Sequence, residues 1–128
     1  MTSLVVDSWA WIEYFSGSET GKRAADAMSN APELWTSVAS VAEIVSKYRR
    51  AGLDENQAMR AVTTLSKIGI PTVDDAVEAG MIHAELRAKS RNFSFADSFV
   101  LQLARKKGAK VLTGDPDFKS LKETELLG

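Results

Sequence analysis

The chain has 128 residues, 45% of them hydrophobic, with 16 Lys and Arg against 17 Asp and Glu and a formal net charge of −1. That length and composition suit one compact domain over residues 1–128 and exclude a disordered chain. Cysteine is absent and His83 is the only histidine, which rules out disulfides, thiolate metal sites and multi-histidine zinc centres.

No apolar run approaches the roughly 20 residues needed to span a bilayer. Met1-Thr2-Ser3 lacks the basic start of a secretory signal, so a cytoplasmic protein is expected. Residues 3–6 read as a short buried strand, and Asp7-Ser8 opens an aromatic helix over 9–15. Ser16-Gly17-Ser18 breaks that helix, and a second runs over 19–28 until Asn30-Ala31-Pro32. A strand over 33–37 follows, then a helix over 40–50 with Val38, Val41, Ala42 and Val45 at helical spacing, stopped at Gly52. Asp54 caps a further helix with Ala58, Ala61, Val62, Leu65 and Ile68 on one face.

Residues 70–73 read as a strand and 74–89 as a helix. Residues 95–107 form a helix with apolar Ala96, Phe99, Val100, Leu103 and Ala104, closed by Gly108. A strand over 110–113, a short helix begun by Pro116 and a weak edge strand over 124–127 complete the chain. Strands alternating with helices predict a three-layer α/β/α sandwich around a parallel sheet of four or five strands. The helices after the second strand exceed a single crossover, so some form a protruding helical hairpin.

Four acids fall where such a fold gathers ligands: Asp7 after the first strand, Asp115 after the strand over 110–113, and Glu43 and Asp97 early in helices. Each also reads as a cap. Ser40-Val41-Ala42-Glu43 and Ser94-Phe95-Ala96-Asp97 have the form of capping boxes, Asp115 precedes proline, and Asp7 precedes the aromatic helix. The joint placement matters more than any single acid, because four carboxylates on one sheet edge repel one another unless they share a cation. An oxygen-only set favours Mg²⁺ or Mn²⁺, and such ions serve in-line displacement at phosphorus. Setting these four of the 17 acids aside leaves 13 against 16 bases, a mildly basic surround for a phosphate backbone.

Val5-Val6-Asp7-Ser8, Val41-Ala42-Glu43-Ile44, Phe95-Ala96-Asp97-Ser98 and Leu112-Thr113-Gly114-Asp115-Pro116-Asp117-Phe118, in this order, resemble the PIN domain family and within it the VapC-type toxins. The resemblance spans nearly the whole chain. It implies a PIN-like nuclease fold and a Mg²⁺- or Mn²⁺-dependent endoribonuclease leaving 3′-hydroxyl and 5′-phosphate ends. It also implies a homodimer inhibited by a cognate VapB-type antitoxin. It carries metal-ligand roles onto Asp7, Glu43, Asp97 and Asp115, with Asp117 either a further ligand or a packing residue. Thr113 is similar to the family's supporting hydroxyl, with Ser8 a second candidate.

Trp9 and Trp11 lie on a helix apolar on most sides, and the resemblance makes both antitoxin-contact candidates. Arg87, Lys89 and Arg91 precede the Asp97 helix and are candidates for RNA phosphate contacts. The basic residues 47–50 and 105–107 are assigned to offsetting the dipole at helix ends. His83 reads as a packed or surface residue. Two alternatives stand beside the nuclease: a phosphoacceptor signalling domain, for which Asp74-Asp75 falls too late in the chain, and a non-catalytic binding module whose acids are only caps.

Overall fold

A computed structural model describes residues 1–127. Five parallel strands, β1 (Leu4–Val6), β2 (Leu34–Ser37), β3 (Lys67–Gly69), β4 (Lys110–Thr113) and β5 (Thr124–Leu126), form one sheet in the order β3-β2-β1-β4-β5. The helices are α1 (Ser8–Ser16), α2 (Glu19–Asn30), α3 (Val38–Arg50), α4 (Asn56–Leu65), α5 (Val73–Arg87) and α6 (Phe95–Lys107), with a 3₁₀ turn at Pro116–Phe118. Among the described residues, no helix is long and apolar enough to cross a membrane.

Side chains alternate across a strand, and β1 is apolar at every position, as a strand covered on both faces must be. Leu4 and Val6 join Trp11, Met28, Ile44 and Val62 in one core layer, under α1 to α4. Val5 and Val111 join Ile82, Phe93, Val100 and Leu101 in the other, under α5 and α6. The expected three layers are therefore present. Helix α6 is buried from Val100 through Ala104, so it sits inside the molecule rather than on it.

Strand order runs outward in both directions from β1 and β4, so the topology switches between them. Loops leaving the carboxyl ends of these two strands diverge and open a crevice there. Asp7 and Asp115 sit on these two loops.

Several boundaries differ from the sequence expectation, those of α3, β3 and α5 with identifiable causes. Helix α3 starts at Val38, because β2 runs straight into it and the Ser37 hydroxyl accepts from the Ala39 N–H. The expected Ser40–Glu43 capping box is therefore absent, and the Ser40 hydroxyl is buried without a partner among the described residues. Strand β3 is Lys67–Gly69 rather than 70–73, and Ile68 belongs to it instead of to α4. At Gly69 a Cβ would stand 2.6 Å from Leu103, so glycine lets α6 press onto this edge. Pro71, which has no N–H to donate, follows where pairing ends. Helix α5 starts at Val73 and stops at Arg87, with Thr72 and Asp75 closing a capping box.

Candidate metal centre

Asp7 ends β1 and caps α1, its Oδ1 accepting from the Ser8 N–H at 2.9 Å. Its Oδ2 accepts from the Thr113 hydroxyl at 2.8 Å, and only 3% of the residue is exposed. Burial pushes this carboxyl up to about 7, and the neighbouring Asp97 and Glu43 charges add to the rise. The Thr113 and Ser8 hydrogen bonds oppose the rise without cancelling it. Burial and like charges thus disfavour the ionised form of this carboxyl, which a cation held beside it would favour.

Asp97 stands at the third position of α6. Its Oδ2 accepts from the Ser94 N–H at 2.9 Å, while the Ser94 hydroxyl accepts from the Asp97 N–H at 3.1 Å. Burial raises its pKa, with Asp115 and Asp117 adding to the effect. Asp115 caps the 3₁₀ turn through the Asp117 N–H, and its own N–H donates to the Thr113 hydroxyl at 3.0 Å. One buried hydroxyl thus fixes both Asp7 and Asp115.

Glu43 comes one turn inside α3 and caps nothing. Its Oε1 accepts from the Ser8 hydroxyl at 3.1 Å, and desolvation raises its pKa, with Asp97 and Asp115 contributing. Carboxylate oxygens of Asp97, Asp115 and Asp117 all lie within 4.8 Å of one another. Asp117 also accepts from the Ser90 hydroxyl at 2.8 Å, so it faces the acids while tied to the loop after α5.

Capping and clustering are therefore not alternatives for Asp7, Asp97 and Asp115, which do both. A helix start stabilises negative charge, which lets these acids approach one another at lower cost. The oxygen-only donor set and the raised carboxyl pKa values fit a hard divalent cation.

Asp7, Glu43, Asp97 and Asp115 line one cavity of about 460 Å³, together with Ser8, Trp9, Lys47 and Arg50. Lys47 and Arg50 are the residues that sequence reasoning missed. They follow Glu43 by four and seven positions, which places all three on one helix face. That spacing was the available signal. Arg87, Lys89 and Arg91 are exposed and lie outside this lining, although Ser90 between them reaches Asp117.

Trp11 cannot be a partner contact as expected. It is fully buried, stacks on Phe15 and donates its indole N–H to Thr36 at 3.0 Å, because the all-apolar helix turns that face into the core. Trp9 is 36% exposed, and its ring lies against Gly114 so closely that a Cβ there would come within 2.3 Å of it. The ring thereby supports the loop that presents Asp115. His83 stacks on Phe95 at 4.0 Å and is not part of the cavity lining.

A sequence model of the PIN domain matches residues 4–123. The chain belongs to the PIN domain family. This PIN domain is 32% identical over 124 residues to a VapC ribonuclease of Mycobacterium bovis and to ribonuclease VapC11 of Mycobacterium tuberculosis, covering 90% of this chain and 88% of each relative. Among solved structures it is similar to a toxin–antitoxin complex from Klebsiella pneumoniae, with TM-score 0.77 and 19% identity over 95% of both chains. It is also similar to Mycobacterium tuberculosis VapC20, a sarcin-ricin-loop-cleaving toxin. There the TM-score is 0.75 and the identity 23%, over 98% of this chain and 99% of that one. At those identities the structural likeness is one of fold.

Proposed function

We propose that this PIN domain is a Mg²⁺- or Mn²⁺-dependent endoribonuclease acting as the toxin of a toxin–antitoxin pair in the cytoplasm. The observation that carries the reading is the convergence of Asp7, Glu43, Asp97, Asp115 and Asp117 at the switch between β1 and β4. Relatives named as ribonucleases supply the substrate class. Divalent metal bound there supplies a Lewis acid that activates water and offsets charge on the scissile phosphate.

The chain's own residues do the rest. Asp97, Asp115 and Asp117 offer the closest set of oxygens, with Asp7 and Glu43 beside them. Thr113 locks Asp7 and Asp115 in place, and Ser8 orients Glu43. Water adds to phosphorus as the bond to the 3′ oxygen breaks, leaving a 3′-hydroxyl and a 5′-phosphate. Arg87, Lys89 and Arg91 extend a basic border from the Ser90–Asp117 contact along the proposed RNA path.

Purified protein is expected to cut RNA with Mg²⁺ or Mn²⁺, to stop with EDTA and to resume when metal is restored. Asp97→Asn is expected to lower the rate at least about 100-fold, beyond the usual cost of losing an outer-shell partner. Absence of cleavage with either metal, or full activity in Asp97→Asn, would sink the proposal. The binding-module alternative, in which every acid is only a cap, is disfavoured by Glu43. The phosphoacceptor alternative loses its acidic pair, since Asp75 is bound to Lys106 and Gln102.

The proposal includes a VapB-type antitoxin, with Trp9 the remaining contact candidate, and a homodimer. Val73, Val77 and Met81 form an exposed apolar stripe at four-residue spacing on α5, which suits a contact with a second copy. Sedimentation is expected to give a dimer that Val77→Glu dissociates. A monomeric parent, or an unchanged dimer in the variant, would remove α5 from this role.

A further inference from the structure

Resting on the ribonuclease reading, we infer that Lys47 and Arg50 of α3 bind the RNA phosphates next to the scissile one. Both line the cavity that holds the carboxylates. Neither closes an ion pair with an acid among the described residues, although Glu43 lies only one turn from Lys47. Arg49, between them, is instead paired with Glu55 at 3.7 Å. The Arg50 Nε donates to the Ser46 hydroxyl at 3.3 Å, which steadies the guanidinium, and its terminal nitrogens have no partner among the described residues.

A pair of cations that only balanced the helix dipole would have no need to share a cavity with four acids. Their position along the helix gives them a substrate role. Lys47 stands about 6 Å and Arg50 about 10.5 Å along the α3 axis from Glu43, at 1.5 Å per residue. Cations on successive turns of α3, beginning beside the acids, suit successive phosphates leading away from a metal-held one. The acids would repel those flanking phosphates, and the two cations offset that repulsion where it would otherwise block binding. Arg50 can grip a phosphate with two parallel N–H donors, whereas Lys47 acts as a point charge.

The test compares Lys47→Gln, Arg50→Gln and, as a matched control, Arg49→Gln. The control removes the same charge from the same helix turn but not from the cavity. Binding of a short fluorescein-labelled single-stranded RNA is measured against salt in the Asp97→Asn background, and cleavage is measured with Mg²⁺ in the parent background. Lys47→Gln and Arg50→Gln are each expected to weaken RNA binding about tenfold and raise KM with little change in kcat. Each should flatten the salt dependence by about 0.7 in log K per log salt, the value of one single-strand phosphate contact. Mn²⁺ affinity and melting temperature should match those of Arg49→Gln.

If the parent cleaves RNA but all three variants bind with equal affinity and slope, the inference fails while the ribonuclease reading stands. If the cavity variants lose only antitoxin binding, the cations serve the inhibitor and the inference is again overturned. If the parent cuts no RNA with either metal, both readings fall together.

Discussion

Replacing Asp7 by Asn is expected to end metal-supported RNA cleavage while making the metal-free protein more stable at alkaline pH. The reason is the buried carboxyl whose pKa is pushed up to about 7. In the unfolded chain Asp7 titrates near 3.8, so between these values the folded state holds a proton that the unfolded state has released. Stability contributed by neutral Asp7 is complete below about pH 4 and is lost as pH rises through about 7. A shift of this size corresponds to up to about 4 kcal/mol at pH 8. Asparagine removes the charge but keeps the geometry. Its carbonyl still caps α1 through the Ser8 N–H, and its amide donates to the Thr113 hydroxyl.

The metal-free Asp7→Asn melting temperature at about pH 8 should therefore rise, by on the order of 10 °C. At about pH 4 the two proteins should melt together. The same linkage sets the pH dependence of metal binding. A cation must displace the Asp7 proton, so Mn²⁺ affinity measured by calorimetry should climb up to tenfold per pH unit below about 7 and level off above it, with proton release. A metal-free Asp7→Asn protein no more stable than the parent at pH 8 would mean that Asp7 ionises freely and is not the strained member of this cluster.

The sequence made the acids legible and their setting less so. Ser94-Phe95-Ala96-Asp97 was readable because one geometry serves two purposes, the capping box and the presentation of Asp97 to the site. Ser40-Val41-Ala42-Glu43 has the same form and a different outcome, because Ser37 at the end of β2 takes the cap first. Which of two serines starts a helix depends on where the preceding strand ends, and that is fixed by pairing with β1 and β3. The β-branched residues around Ile70 suggested a strand that tertiary packing moved to Lys67–Gly69, where a glycine accommodates Leu103. Lys47 and Arg50 were indistinguishable by composition from other basic helix ends such as Arg105, Lys106 and Lys107. Only the direction of α3, which sends its Glu43 face toward α6, separates them. Trp11 and Trp9 differ by two positions on one helix, and the sheet beneath decides which ring is buried.

Thr113→Val tests the other half of the site, the hydroxyl that joins the two switch-point loops. Valine keeps the volume and the β-branched shape that suits β4, so the backbone has no steric reason to move. Two groups lose their partner at once: Asp7 Oδ2 and the Asp115 N–H. Leaving two such groups unsatisfied costs about 1–3 kcal/mol for each that stays buried, and measured stability should fall accordingly. The Thr113 hydrogen bond opposes the rise in the Asp7 pKa, so removing it should raise that pKa further. The pH–rate profile of cleavage should then move toward alkaline pH, a change that a purely structural loss would not produce. Below neutrality the rate should drop about 10- to 100-fold, the usual cost of removing a partner that orients a ligand. Raising the pH or the Mn²⁺ concentration should recover part of it, since both drive the proton from Asp7. Thr113→Ser keeps the hydroxyl and should return the profile close to that of the parent. A Thr113→Val protein with lowered stability but an unmoved profile would make this hydroxyl a packing group, with Asp7 held instead by the Ser8 N–H alone.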